Sequence, residues 1–362
     1  MLPLVKPYIA PRNELIPEIE SILYSGYIAE GEAVYEFERQ FGTFVNNPYV
    51  ISLNSGTAAL HIALILCGVG PGDEVISTPL TAEPTNVAIK LAGGKVVWAD
   101  IDPDTGLIDP QSVRSVITEK TKAIILVHYA GMVCNMEEFN KISEEFNIPI
   151  IEDAAHALGS SYSGKPIGSV SEYTCFSFQA IKHMTTVDGG ILSLKSDEAC
   201  VKARKLRWFG LDKKVPRLEN DISFPGYKYH MNNVNATIGL VQLRHAEDII
   251  KTHISNGKYY DKELSNIPGV TLLKYYNNTE PSYWLYTMKV EKRNQFIERL
   301  ASDGIMASQL HLRNDRHTVF AESKRELPAL DEFYESFVHI PCGWWVTEED
   351  REWVVASIKK GW

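Results

Sequence analysis

The segment Phe176-Ser177-Phe178-Gln179-Ala180-Ile181-Lys182-His183-Met184-Thr185-Thr186-Val187-Asp188-Gly189-Gly190 reads as a strand running into a small polar loop with one lysine, closed by a glycine pair from which another strand starts. A lysine kept inside such an enclosed loop is pushed toward its neutral, nucleophilic form by desolvation and by nearby cations, as imine formation with a carbonyl compound requires. For a lysine taken alone, a solvated surface position is the competing reading. What surrounds the loop decides between them.

Upstream, short β-branched runs alternate with stretches of helical spacing. The predicted strand cores are residues 50–53, 74–77, 95–99, 123–127, 149–152, 174–178 and 190–194, with helices at 58–66, 85–91, 111–118 and 136–146. Strands separated by helices imply an α/β fold, with a mostly parallel sheet covered on both faces. Beyond Gly190 the chain turns helical. One long helix is expected over 233–252 and another over 259–264, a region that bridges two units. The last part shows the sparser alternation of a small α+β unit: an extended run at 284–290, a helix at 295–303 and a final helix at 347–360, with Thr347 and Asp350 at its start. The expected division is therefore a large domain over residues 1–245, including the N-terminal segment, and a small C-terminal domain over 246–362.

The 362 residues carry a formal charge of −10 with acidic and basic residues intermixed, so no basic stripe awaits a nucleic-acid backbone. Any phosphate must be held locally, by helix N-termini and a few placed cations. Five scattered cysteines without Cys-x-x-Cys spacing suit a reducing, cytoplasmic setting. The opening Met-Leu-Pro-Leu-Val-Lys-Pro-Tyr is broken by Pro and Lys too early for a signal peptide, and no later run has the length and apolarity of a membrane span. No metal site is expected.

Two strand ends offer chemistry. Asn54-Ser55-Gly56-Thr57-Ala58-Ala59-Leu60 follows the first strand and precedes a helix, and a turn of small residues there exposes backbone N–H groups that can cradle a phosphate. An ordinary Gly-containing turn with Thr57 as cap fits equally, and no Gly-Lys-Ser/Thr follows to make a Walker loop. In Ile150-Ile151-Glu152-Asp153-Ala154-Ala155-His156-Ala157 an apolar strand ends in carboxylates and an imidazole, where open α/β sheets bind ligands. Asp153 is placed to pair with the protonated ring nitrogen of a pyridine cofactor, strengthening it as an electron sink. A helix N-cap at Asp153 and a packing role for His156 are the alternatives.

Taken together, the Ser55-Gly56-Thr57 turn, the Glu152-Asp153-Ala154-Ala155-His156 strand end and the Ser177-Phe178-Gln179-Ala180-Ile181-Lys182 loop resemble the DegT-type sugar aminotransferases, fold-type I enzymes of pyridoxal 5′-phosphate (PLP). The likeness extends from Gly26-Tyr27-Ile28-Ala29-Glu30-Gly31 to Gly226-Tyr227-Lys228-Tyr229-His230-Met231-Asn232-Asn233 and, more loosely, to the end. It implies that Lys182 forms the internal aldimine and later moves the proton between cofactor and substrate carbons. It also implies that Asp153 pairs with the pyridinium nitrogen, that His156 bonds the ring hydroxyl, and that Gly56, Thr57 and Ser177 bind the phosphate. In the family a homodimer completes each site. Lys228 falls where many members bring an asparagine from the partner to the phosphate, so a lysine there implies an ion pair.

Two departures stand out. Ala82, in Thr78-Pro79-Leu80-Thr81-Ala82-Glu83, occupies the position where many members stack an aromatic ring on the cofactor. His311-Leu312-Arg313-Asn314-Asp315-Arg316-His317 replaces a different, His-Tyr-containing substrate segment, so His311 and Arg313 become candidate substrate-binding residues, Arg313 as a bidentate clamp for a carboxylate or phosphate. A solvated Arg-rich loop is the competing reading.

The activity implied is transfer of an amino group, from glutamate, to a keto group of a nucleotide-linked deoxysugar through a pyridoxamine 5′-phosphate intermediate, in polysaccharide biosynthesis. Two rivals share the fold. One is a PLP-dependent sugar dehydratase, in which histidine replaces the lysine; His183 is adjacent to Lys182. The other is a regulatory or sugar-binding protein without turnover, which has no need to keep a proton-transfer group.

Overall fold

The computed structural model describes residues 1–213 and 215–362. Two helices, α1 (Arg12–Tyr24) and α2 (Glu32–Phe44), lead into β1 (Val50–Leu53). There follow α3 (Gly56–Leu66), β2 (Glu74–Ser77), α4 (Glu83–Leu91), β3 (Lys95–Trp98), α5 (Pro110–Arg114), β4 (Thr121–Val127), α6 (Met136–Phe146) and β5 (Ile150–Asp153). A two-residue hairpin, β6 (Ser161–Tyr162) and β7 (Lys165–Pro166), separates β5 from β8 (Tyr173–Ser177) and β9 (Gly190–Ser193).

Seven of these strands form one sheet in the order β1-β9-β8-β5-β4-β2-β3. The pairs from β8 through β5, β4 and β2 to β3 are parallel, and β9 runs antiparallel to both of its neighbours. Every residue of β1, β5 and β9 is buried, the mark of strands covered on both faces. All seven expected strands are present, each within two residues of its expected limits at either end. The helix expected at 111–118 ends early, at Arg114.

Past β9 come α7 (Asp197–Arg207) and α8 (Asn233–Glu263). Where the spacing predicts two helices, α8 is a single helix of 31 residues. The expected gap between them, which contains Ser255, Asn256 and Gly257, is helical because of packing. Asn256 Nδ2 donates to the carbonyls of Cys342, Gly343 and Val346, so a residue disposed to turns is anchored in a helix. Gly257 faces the Tyr283 ring so closely that a Cβ there would lie 2.4 Å from it.

The remaining elements are β10 (Val270–Leu272), β11 (Thr279–Glu280), β12 (Tyr286–Val290), α9 (Arg293–Ser302), α10 (Pro328–Ser336), β13 (Phe337–Ile340) and α11 (Glu348–Lys359). Strands β10, β12 and β13 form an antiparallel sheet whose core includes Met288, Phe296, Leu300, Val338 and Ile358. Thr347 and Asp350 cap α11 reciprocally, as their spacing predicts. Helix α8 spans both cores: Ala236 and Ala246 pack with the large sheet and Tyr260 with the small one, so the 245/246 division falls inside a continuous helix. Among the described residues, no helix is long and apolar enough to cross a membrane.

Candidate active site

A cavity of about 380 Å³ opens at the ends of β1, β5 and β8, the edge where parallel strands deliver their C-termini. Its wall includes Gly56, Thr57, Asp153, His156, Ser177, Lys182 and His311, so residues from three distant stretches and the C-terminal loop meet in one place.

One end is a cup of small residues. Ser55 caps α3, its Oγ accepting the Ala58 N–H at 3.1 Å, while the Ala59 N–H bonds the Ser55 carbonyl. The Gly56 and Thr57 N–H groups stand ahead of these first helical bonds at the positive end of the helix, suited to an anion. The cup is tight. A Cβ on Gly56 would lie 2.9 Å from Ser177 Cβ, and one on Gly190 would lie 2.5 Å from the Ser55 backbone. Ser177 thus sits directly against the turn that it is expected to assist.

At the other end Asp153, the last residue of β5, accepts the Thr85 hydroxyl at 2.7 Å and the Ala155 N–H at 3.1 Å. Burial pushes its carboxyl above the ordinary value, opposed by these two bonds and by the positive charge of Lys182. No helix starts after it, so Asp153 is a cavity residue and not an N-cap. Behind it, Glu152 and His128 are buried together, Nε2 to Oε2 2.6 Å. His156 accepts the Ala130 N–H on Nδ1 at 3.4 Å, which leaves the ring hydrogen on Nε2. That Nε2 is buried and has no protein partner among the described residues. Burial and the neighbouring Lys182 charge push His156 well below the usual imidazole range, so it is a neutral donor.

Lys182 lies on the cavity wall, its Nζ 4.3 Å from the centre of the Trp284 ring. Desolvation brings its amine down to about 8, with Asp153 acting in the opposite direction. His183 turns the other way into the protein, where Nε2 donates to the Ser282 carbonyl at 3.2 Å and the ring packs at 4.6 Å on His253. The side chain that lines the cavity is the amine and not its imidazole neighbour, against the histidine-centred dehydratase alternative.

The C-terminal loop divides the two substrate-binding candidates. His311 reaches the cavity, its Nε2 buried and without a protein partner among the described residues, and burial lowers its pKa to about 4. Arg313 differs from the expectation of a free clamp. Its Nε and Nη2 donate to the two oxygens of Asp315 at 2.8 and 2.7 Å, and Nη1 bonds Asp331. The guanidinium is already satisfied by its own chain and lies off the cavity wall, and it orders the loop that presents His311. Lys228 is exposed and does not line the cavity of its own chain. Ala82 does line it, and no aromatic side chain stands at that position. Sequence reasoning missed Thr85 and Trp284. Only Thr85 had a signal, a hydroxyl in the first turn of a helix leaving a strand end.

The residues fit PLP. They offer a tight anion cup, a buried carboxylate for a ring nitrogen, an unpartnered N–H donor for a ring hydroxyl, and an amine lowered toward neutrality. On this sheet, they define a PLP enzyme of fold type I.

Comparison with known proteins narrows the class. The model of the DegT/DnrJ/EryC1/StrS aminotransferase family matches residues 10–359. The crystal structure of AtS13 from Actinomadura melliaura superposes with a TM-score of 0.97 at 39% identity, covering 100% of this chain and 99% of the other. The PLP form of Spr1654 from Streptococcus pneumoniae gives a TM-score of 0.91 at 30% identity over 99% and 98% of the two chains. The UDP-4-amino-4-deoxy-L-arabinose–oxoglutarate aminotransferase of Shewanella sediminis is 33% identical over 99% of this chain and 97% of its own. The chain belongs to the DegT/DnrJ/EryC1/StrS aminotransferase family and is a PLP-dependent sugar aminotransferase.

Proposed function

We propose that the enzyme transfers an amino group from glutamate to a keto group of a nucleotide-linked deoxysugar, in the cytoplasm and as a homodimer. The observation that carries the amino-transfer part of this reading is the placement of the Lys182 amine, lowered to about 8 by burial, and the buried carboxylate of Asp153 on the wall of one cavity. The Shewanella relative is described as acting with oxoglutarate, the keto partner of glutamate, on a UDP-linked amino sugar, which supports both substrate classes.

When bound, PLP supplies an electron sink beside the carbon that gains or loses nitrogen. The protein supplies the rest. Gly56, Thr57 and Ser177 fix the phosphate end, and the carboxylate of Asp153 keeps a proton on the ring nitrogen. His156, with its hydrogen on Nε2, would donate to the ring hydroxyl of the bound cofactor. Lys182 Nζ, with a pKa near neutrality, takes up and releases a proton with little driving force in either direction. His311 Nε2 is available to a sugar hydroxyl at the mouth. The Lys228 ammonium of a second copy completes the phosphate site, and with Ala82 in place of an aromatic ring the stacking comes from elsewhere or is weaker.

Purified holoprotein should lose its long-wavelength absorption on adding glutamate and regain it on adding a keto-sugar nucleotide. A screen of such nucleotides, followed by product mass, identifies the sugar. A spectrum that no amino donor changes would overturn transamination, and a product lighter by one water and without added nitrogen would indicate dehydration. Sedimentation velocity tests the dimer. A monomer with full activity would rule out a contribution from Lys228 of a second copy.

A further inference from the structure

Trp284 does not line the cavity, and the proposed chemistry gives it no part, yet it touches two residues that do. Its indole stacks on His156 with ring centres 3.9 Å apart and planes inclined by 13°. On a ring face it carries Lys182 Nζ at 4.3 Å. Its Nε1–H donates to the Ile181 carbonyl at 2.9 Å, the peptide immediately before Lys182. The side chain is only 2% exposed.

The backbone carrying Trp284 is fixed to the same place. Ala130 donates its N–H to His156 Nδ1, and its carbonyl accepts the Leu285 N–H at 3.5 Å. The Ser282 N–H bonds the Gly131 carbonyl at 3.2 Å. Gly131 has a φ of 95°, and a Cβ there would lie 2.7 Å from the Tyr283 nitrogen. Only glycine allows this approach. The segment then continues directly into β12, the central strand of the small sheet.

We infer that Trp284 is a positioning residue that holds the Lys182 amine and the His156 imidazole in register with each other, and that through it the packing of the small sheet sets the geometry of the cavity. The inference rests on the aminotransferase reading above. One hydrogen bond, one ring stack and one ring-face contact on a single indole couple the two groups. An error of about 1 Å in a reacting group is enough to lower a rate by about a hundredfold.

The test uses Trp284→Phe, which keeps a buried ring but loses the N–H anchor, and Trp284→Leu, which also loses the stack, each alone and combined with His156→Asn. Circular dichroism and the thermal midpoint establish folding. Positioning predicts that Trp284→Leu lowers kcat about tenfold or more with KM changed less than about threefold. The pH dependence of the bound cofactor's absorption should shift as well, a readout independent of turnover, and Trp284→Phe should lie between wild type and Leu. In the His156→Asn background the loss from Trp284→Leu should shrink, because one of the registered groups is already gone.

Unchanged spectra, with kcat losses that simply multiply, would overturn the inference and leave Trp284 a packing residue. If Trp284→Leu does not fold, Trp284→Phe decides on the same spectral and kinetic criteria. A wild-type protein that shows no amino transfer at all would instead refute the activity.

Discussion

The Thr85 hydroxyl lies 2.7 Å from Asp153 Oδ2, although the two residues belong to β–α units separated in the sheet by β4. Helix α4 starts at the end of β2 and aims its first turn across β4 at the end of β5, so the contact follows from parallel strand order. The bond favours the ionised carboxyl, against burial, which favours the neutral one. Removing it should let burial prevail further. In Thr85→Val the carboxyl should titrate higher, and the acidic limb of kcat/KM should move to higher pH. A pH–rate profile with an unmoved acidic limb would show that Thr85 does not tune Asp153.

Lys182 should govern how the apoprotein takes up its cofactor. With the amine at about 8, its neutral fraction grows about tenfold per pH unit below that value and then saturates. The rate of appearance of the cofactor's absorption band, measured by stopped flow, should follow that curve, and Lys182→Ala should give no band. A rate still climbing steeply beyond pH 9 would mean that the amine is not lowered. The sign of the stability effect follows. A lysine lowered on folding binds fewer protons than in the unfolded chain between about 8 and its ordinary value of 10.5, so it opposes folding fully below that window and progressively less as pH rises through it.

Much of this molecule was legible because its chemistry sits where strands end. The runs at Val50, Ile150 and Tyr173 are short, buried and β-branched or aromatic, and each is followed at once by the polar residues that line the cavity. Gly56, Thr57, Asp153, His156 and Lys182 stand in stretches that local pattern singles out for that reason, while their roles, and Ser177 altogether, came from the family resemblance. What escaped depended on distant partners. The stretch left between the two expected helices holds Asn256 and Gly257, which the carbonyls around Cys342 and the close approach of the Tyr283 ring keep inside one helix. Arg313 looks like a free clamp until Asp331, eighteen residues on, folds back onto it. Trp284 is one more aromatic in an extended run. Nothing local says that its ring lies under an amine 102 positions earlier.

The glycine at the start of α3 should be as exacting as the lysine. A Cβ on Gly56 would approach Ser177 Cβ to 2.9 Å, closer than side-chain carbons come, so the turn must open by some tenths of an ångström. Gly56→Ala should still fold, because the helix interior is unaffected. Its N–H groups would no longer converge on one point, and PLP should bind about tenfold or more weakly, with the deficit much smaller for pyridoxal, which lacks the phosphate. Equilibrium dialysis with the two compounds measures this. Equal losses for both would place the damage in the ring site.

Arg313 should behave as a structural cation rather than as part of substrate recognition. Its fork is engaged by Asp315 and its remaining nitrogen by Asp331, with the guanidinium nearly enclosed, so truncation leaves the largely covered Asp315 without its counter-charge, while Asp331 is exposed and screened by solvent. We expect Arg313→Gln to destabilise the protein by about 1–3 kcal/mol in urea unfolding. Arg313→Lys should recover only part of this, because an ammonium cannot bridge both acids in the plane of the fork. Activity at a temperature where both variants remain folded should fall through a higher KM for the sugar nucleotide, since His311 is displaced with its loop, while KM for glutamate stays within about twofold of wild type. A large and selective rise in KM for glutamate, with unfolding unchanged, would mean that the guanidinium leaves its aspartates to hold the donor's carboxylate and that the clamp expected from the sequence operates after all.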